Sequence, residues 1–155
     1  MKREDILVAG QLFLFVLIGL GFFRLPDASS GMIKMVGLVV AVAGGLVGLA
    51  AIRQHQVVNQ QPPKVSPVPN ESVGLVESGL YRFVRHPIYS GVLLAALGAA
   101  IINGHLAMFV LFVLLYGWLT MKSMFEEQLL SQTYPTYPDY MTRTGRFVPP
   151  ILNRK

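Results

Sequence analysis

The chain has 155 residues, the length of one domain; 53% are hydrophobic and only 14% charged, with mean hydropathy +0.52. Soluble domains carry roughly 25% charged residues, so this is the composition of an integral membrane protein. There is no cysteine, which excludes disulfides and thiolate metal sites. His55, His86 and His105 lack metal-ligand spacing, and the net charge of +5 reads as membrane topology rather than nucleic-acid binding.

After a charged start at 1–5, residues 6–23 run for 18 positions without a charge. That is near the length that spans a bilayer, and no small-residue cleavage site follows, so 6–23 is the first predicted span. A short loop over 24–31 leads to the second, 32–52, whose Gly37, Gly44, Gly45 and Gly48 suit close helix packing in lipid. Lys34 near its start is placed to snorkel to the interface.

Residues 53–73 are polar and contain Pro62, Pro63, Pro67 and Pro69, which predicts a loop outside the bilayer. It leads into the most informative stretch, 74–91. There Arg82, Arg85 and His86 crowd together ahead of Pro87. Proline suits the first helical position, where its missing N–H costs nothing, so a helix is predicted to start at Pro87 with Arg85 and His86 at its mouth. Gly91, just inside, permits a close approach of another backbone or a ligand. The same cluster of Arg, His and Tyr also suits a plain interfacial anchor.

The third span is predicted at 87–102, a tight turn at Asn103-Gly104, and the fourth span at 105–121. The fourth helix should continue through Lys122, Glu126 and Glu127 and stand out of the membrane. The segment 122–155 is then a C-terminal extra-membrane part with a basic tail. With the N-terminus inside, eleven Lys and Arg fall on the cytoplasmic side and only Arg24 and Lys34 outside, a clear positive-inside bias. The fold class is therefore all-α integral membrane: four transmembrane helices, with the cytoplasmic loop and the C-terminal segment closing a pocket.

Folding the last two spans into a hairpin brings Tyr89, Lys122 and Glu126 to nearby depths, with the loop ending at His86 filling the same level. Lys122 and Glu126 share a helix face, and Glu127 points about 100° away from Glu126. Taken singly, Lys122 also suits a snorkelling cation, the Lys–Glu pair a weak surface contact, and Tyr134, Tyr137 and Tyr140 an interfacial aromatic belt.

Arg85-His86-Pro87-Ile88-Tyr89 followed by Glu126-Glu127, with Leu75-Val76-x-x-Gly79-x-Tyr81 upstream and Arg146-Phe147-x-Pro149 downstream, resembles the signature of the isoprenylcysteine carboxyl methyltransferase family, which includes phospholipid methyltransferases. The resemblance covers about 73–150. It implies S-adenosylmethionine-dependent methyl transfer by a membrane enzyme without a Rossmann fold. The positions matching the family's cofactor contacts are Val73, Gly74, Leu75, Val76, Tyr81, His86, Pro87, Ile88, Tyr89 and Glu126. Lys122 stands where the prenylcysteine enzymes carry a substrate-carboxylate Arg, and it keeps the charge without the bidentate fork. Arg146 is the next candidate for substrate binding. The segment after the Glu pair departs from the family, being one residue shorter than its usual Phe-Gly-x-x-Tyr-x-x-Tyr.

The expected cofactor is S-adenosyl-L-methionine, and the expected partners are membrane lipids and a lipophilic or lipid substrate, with no nucleic acid and no metal. No separate catalytic dyad is visible or needed, because the cofactor carries the reactive group. The expected location is the cell membrane, multi-pass, with the active site facing the cytoplasm. Two other functions stay open on the residues alone: a non-enzymatic membrane protein binding anionic lipid or a partner, and a membrane reductase using NADPH.

Overall fold

The computed structural model describes residues 2–63, 65 and 74–150. Every element is helical: α1 (Arg3–Arg24), α2 (Gly31–Asn59), α3 (Pro87–Asn103), α4 (Leu106–Thr133) and α5 (Tyr137–Arg143), with a 3-10 turn at Gly79–Arg82. Among the described residues there are no strands, only an isolated parallel bridge between Val84 and Gly145. Three helices, α1, α2 and α4, are long and apolar enough to cross a membrane. The helix α3 is apolar but has 17 residues, about 25 Å at 1.5 Å per residue. Three of the four expected spans are thus helices of crossing length, and the expected third span is this shorter apolar helix.

The shorter helix is held by its neighbour. A Cβ on Gly91 would meet the Gly44 carbonyl at 2.7 Å, and one on Gly37 would meet the Gly98 carbonyl at 2.8 Å. Small residues therefore let the α2 and α3 backbones touch, where larger side chains would hold them apart. Gly45 has open space around it and takes no part in this seam. On the other side, Leu14 of α1, Leu93 and Ala96 of α3, and Leu115 and Leu119 of α4 form one core cluster, closed by Phe147 of the C-terminal segment.

Helix α2 runs seven residues beyond the predicted end of the second span, through 53–59. The breaking prolines start only at Pro62, and the helix ends at Gln60 in the left-handed conformation (φ 55°). Lys34 forms an ion pair with Asp27. The α3–α4 connection turns on Gly104 (φ 75°), packed against the Ser29 backbone. Ser29 Oγ lies 2.8 Å from the carbonyls of both Ile101 and Ile102, so the α1–α2 and α3–α4 connections share one end of the bundle.

Candidate active site

The other end holds a cavity of about 360 Å³, within the usual range for small-molecule sites. Its walls come from every part of the chain. The loop residues Gly74, Leu75 and Val76 line it together with Tyr81, and His86, Pro87, Ile88 and Tyr89 follow at the start of α3. Lys122, Glu126 and Leu130 of α4 face them. Of the sequence-predicted cofactor positions, all but Val73 line this one space; Val73 lies outside the described residues.

The extended end of α2 is the platform for the loop. Gln54 Oε1 accepts from the Leu80 N–H at 3.0 Å, its Nε2 donates to the Ser78 carbonyl, and Asn59 Oδ1 accepts from the Gly74 N–H at 2.9 Å. Ala51, Val76 and Tyr81 are buried against one another. These contacts require helix at 53–59, so the loop predicted there would have left the site without its floor.

The C-terminal segment clasps the same loop. The N–H groups of Arg85 and His86 donate to the Gly145 and Arg146 carbonyls at 2.8 and 3.1 Å, and Ser90 Oγ donates to the Phe147 carbonyl at 2.6 Å. Tyr140 Oη donates to the Tyr81 carbonyl at 2.5 Å, and Arg143 pairs with Glu77. Tyr134, Tyr137 and Tyr140 all line the cavity.

His86 is the pivot. Its Nδ1 lies 3.3 Å from Glu126 Oε2 and its Nε2 3.2 Å from Glu127 Oε1. Two carboxylates can both be satisfied only by an imidazole that donates from both nitrogens, the protonated form. Burial pushes the His86 pKa down, but the hydrogen bonds and charges of Glu126 and Glu127 outweigh burial and hold it above the ordinary value. The Tyr89 ring stacks nearly parallel on the imidazole, 5.5 Å between centroids. Burial, with the Glu126 charge, pushes the Tyr81 phenol up to about 12, so it stays neutral.

The two glutamates differ in what remains free. Glu127 accepts from Arg85 Nε at 2.9 Å, from His86, and from Arg146 through Nε at 3.2 Å and Nη2 at 2.8 Å. Its side chain is 8% exposed and saturated. Glu126 accepts from Tyr89 Oη at 2.6 Å and from His86, which leaves lone pairs on a carboxylate that lines the cavity.

The two residues expected to bind substrate differ in where they sit. Arg146 is not in the cavity wall, because its guanidinium is committed to Glu127. Lys122 does line it, but is fully buried and neither snorkels nor turns to Glu126. Its Nζ donates to Gln11 Oε1 at 2.5 Å and to the Val65 carbonyl at 2.8 Å, and lies 5.3 Å from the centre of the Tyr89 ring.

Gln11 and His55 are wall residues that the sequence reading passed over. A signal existed for each. Gln11 is the lone side-chain amide within the apolar run 6–23, and such groups in a membrane helix seek a polar partner. His55 follows Ala51 and Ile52 at helical spacing, with no breaker before Pro62.

A family model described as phospholipid methyltransferase matches residues 32–137. No individual curated protein matches the chain. The matched region includes α2, α3, α4 and the start of α5, and so the motif residues and most of the cavity wall; α1 lies outside it.

Proposed function

The chain belongs to the phospholipid methyltransferase family, and from that membership we propose that it is an integral membrane enzyme that uses S-adenosyl-L-methionine to methylate a lipophilic acceptor at the cytoplasmic boundary of the membrane. The observation that carries the reading is the pair of adjacent glutamates: Glu127 is consumed by Arg85, His86 and Arg146, while Glu126 is oriented by His86 and Tyr89 and keeps acceptor capacity toward the cavity. When bound, the cofactor supplies a methyl group on a sulfonium, open to in-line displacement by the acceptor.

The residues present fit such a group. Glu126 suits ribose hydroxyls or an ammonium, and the face of Tyr81 suits a cation. Gly74, Leu75, Val76 and Ile88 line the cavity and offer a largely apolar wall for a flat base. Held rigidly, these groups contribute position and electrostatics, which is what a displacement needs from the protein. The helix bundle below the cavity is apolar and lets a lipid tail stay in hydrocarbon while its head reaches the site. In this reading α3 crosses as the fourth span beside α2, and the positive-inside charge bias sets the cavity on the cytoplasmic face.

Calorimetric titration of the detergent-purified chain with S-adenosylhomocysteine, and separately with NADPH, tests the proposal. Saturable binding of the first and none of the second is expected. Transfer of labelled methyl from S-adenosylmethionine into extracted membrane lipid should follow. Binding of NADPH alone would favour a reductase and overturn the proposal.

A further inference from the structure

Lys122 and Glu126 are one helical turn apart on α4, the spacing at which opposite charges meet. In a site of low dielectric their attraction is strong. Yet the Lys122 ammonium is fully buried and turned to Gln11 on α1, with Nζ–Oε1 2.5 Å, while the Val65 carbonyl and the Tyr89 face take its other sides. Glu126 is left to His86 and Tyr89. Gln11 is itself 7% exposed and lines the cavity, and the helix that carries it lies outside the region matched by the family model.

We propose that Gln11 is a positioning residue of the ligand site: by holding the Lys122 ammonium toward α1, it keeps Glu126 free to take a cationic or hydroxyl group of the bound cofactor. The inference rests on the proposed function for the identity of that cofactor. Without the amide oxygen, Lys122 loses one of its two oxygen acceptors among the described residues, and Glu126, one turn along the same helix, is a carboxylate placed to replace it. A lysine paired with Glu126 neutralises the carboxylate that the ligand needs. It also competes with Tyr89 and His86 for the same two oxygens.

The test is S-adenosylhomocysteine titration of four full-length forms in detergent: wild type, Gln11→Leu, Lys122→Met and the double variant. Gln11→Leu is expected to weaken binding at least fivefold. The double variant should bind about as tightly as Lys122→Met and more tightly than Gln11→Leu, because no ammonium remains to occupy Glu126. A merely structural role for Gln11 would leave the double variant at least as weak as Gln11→Leu, and that result overturns the proposal. So does wild-type affinity in Gln11→Leu. Should Gln11→Leu fail to fold, Lys122→Met against the double variant carries the test: equal affinities support the proposal, and a further loss in the double variant overturns it. A wild-type chain that does not bind S-adenosylhomocysteine overturns the proposed function itself, a different result from binding that is indifferent to Gln11.

Discussion

Glu126 and Glu127 are neighbours in sequence but hold opposite nitrogens of one imidazole, at 3.3 Å from His86 Nδ1 and 3.2 Å from His86 Nε2 respectively. Successive helical residues diverge by about 100°. One carboxylate therefore faces the cavity, and the other faces the clasp formed by Arg85 and Arg146. Under the proposed function, ligand binding falls to Glu126 and stability to Glu127.

Glutamine substitutions should separate those roles. Glu127→Gln keeps the shape but leaves Arg85, Arg146 and His86 without their common counter-charge. Removing one member of a buried ionic network costs about 3–5 kcal/mol. The lower end is expected here, because the Arg146 side chain is 30% exposed and solvent screens part of its charge. Thermal unfolding in detergent should show a large drop for Glu127→Gln and a small one for Glu126→Gln. Calorimetry should show the reverse: Glu126→Gln loses at least tenfold in S-adenosylhomocysteine affinity, about 1.4 kcal/mol. Equal melting points for the two variants would remove the division.

The His86 imidazolium gives the fold a pH dependence of definite sign. Its pKa in the folded chain is raised above the ordinary 6.5, burial being outweighed by Glu126 and Glu127. A raised folded-state value contributes stability that is fully present below the unfolded pKa and is lost as pH rises through the folded one. The melting temperature of the wild type, relative to His86→Gln, should accordingly be highest at or below about pH 6.5 and fall on the alkaline side. A difference that grows with rising pH would show that His86 is neutral in the fold.

Much of this site was legible in the sequence because its residues are consecutive or one helical turn apart. Pro87 marked the helix start, and the count from Tyr89 to the Asn103-Gly104 turn and back placed Lys122 and Glu126 at its depth. The partners of Lys122 were not legible because they lie far away in the chain, Gln11 on α1 and Val65 after α2. Helical phase carries no information on such partners. The pairing of Arg146 with Glu127 was hidden for a related reason: it depends on a backbone bridge between Val84 and Gly145, and a single isolated bridge has no periodic signature. The end of α2 was read short because its residues change from apolar to polar at Arg53 while the helix continues. A change from apolar to polar residues does not end the hydrogen-bonded helix, which runs on to Asn59.

The seam between α2 and α3 predicts a sharp contrast between adjacent glycines. A Cβ at Gly44 would meet the Gly91 carbonyl at 2.7 Å and the Leu94 backbone carbon at 2.9 Å, whereas one at Gly45 meets open space. Backbone cannot move aside as a flexible side chain can, so Gly44→Val must part the helices. Overpacking of this kind costs about 1–3 kcal/mol, and here it also displaces Gln54 and Asn59, which carry the cavity loop. Gly44→Val should melt markedly below wild type and lose ligand affinity, while Gly45→Ala should match wild type or exceed it, since alanine is the better helix former. Thermal melts of the two variants in the same detergent check this. Equal losses at both positions would mean that the two helices do not meet along this face.

The cavity end and the opposite end of the bundle can be told apart by labelling, because the chain has no native cysteine. Asn59 stands at the end of α2 beside the cavity loop, with its amide oxygen on Gly74. Ser30 caps the start of α2 at the other end, next to the connections joined through Ser29, Ile101 and Ile102. Arg3, Arg53, Arg82, Arg85, Arg143 and Arg146 gather toward the cavity end, and Arg24 and Lys34 lie at the Ser30 end. Positive charge is retained on the cytoplasmic side. In intact cells a membrane-impermeant maleimide is therefore expected to label Ser30→Cys and to leave Asn59→Cys unlabelled until the membrane is opened. Labelling of Asn59→Cys in intact cells, with Ser30→Cys protected, would turn the cavity away from the cytoplasm and from its supply of S-adenosylmethionine, and the proposed reaction could not run in that orientation.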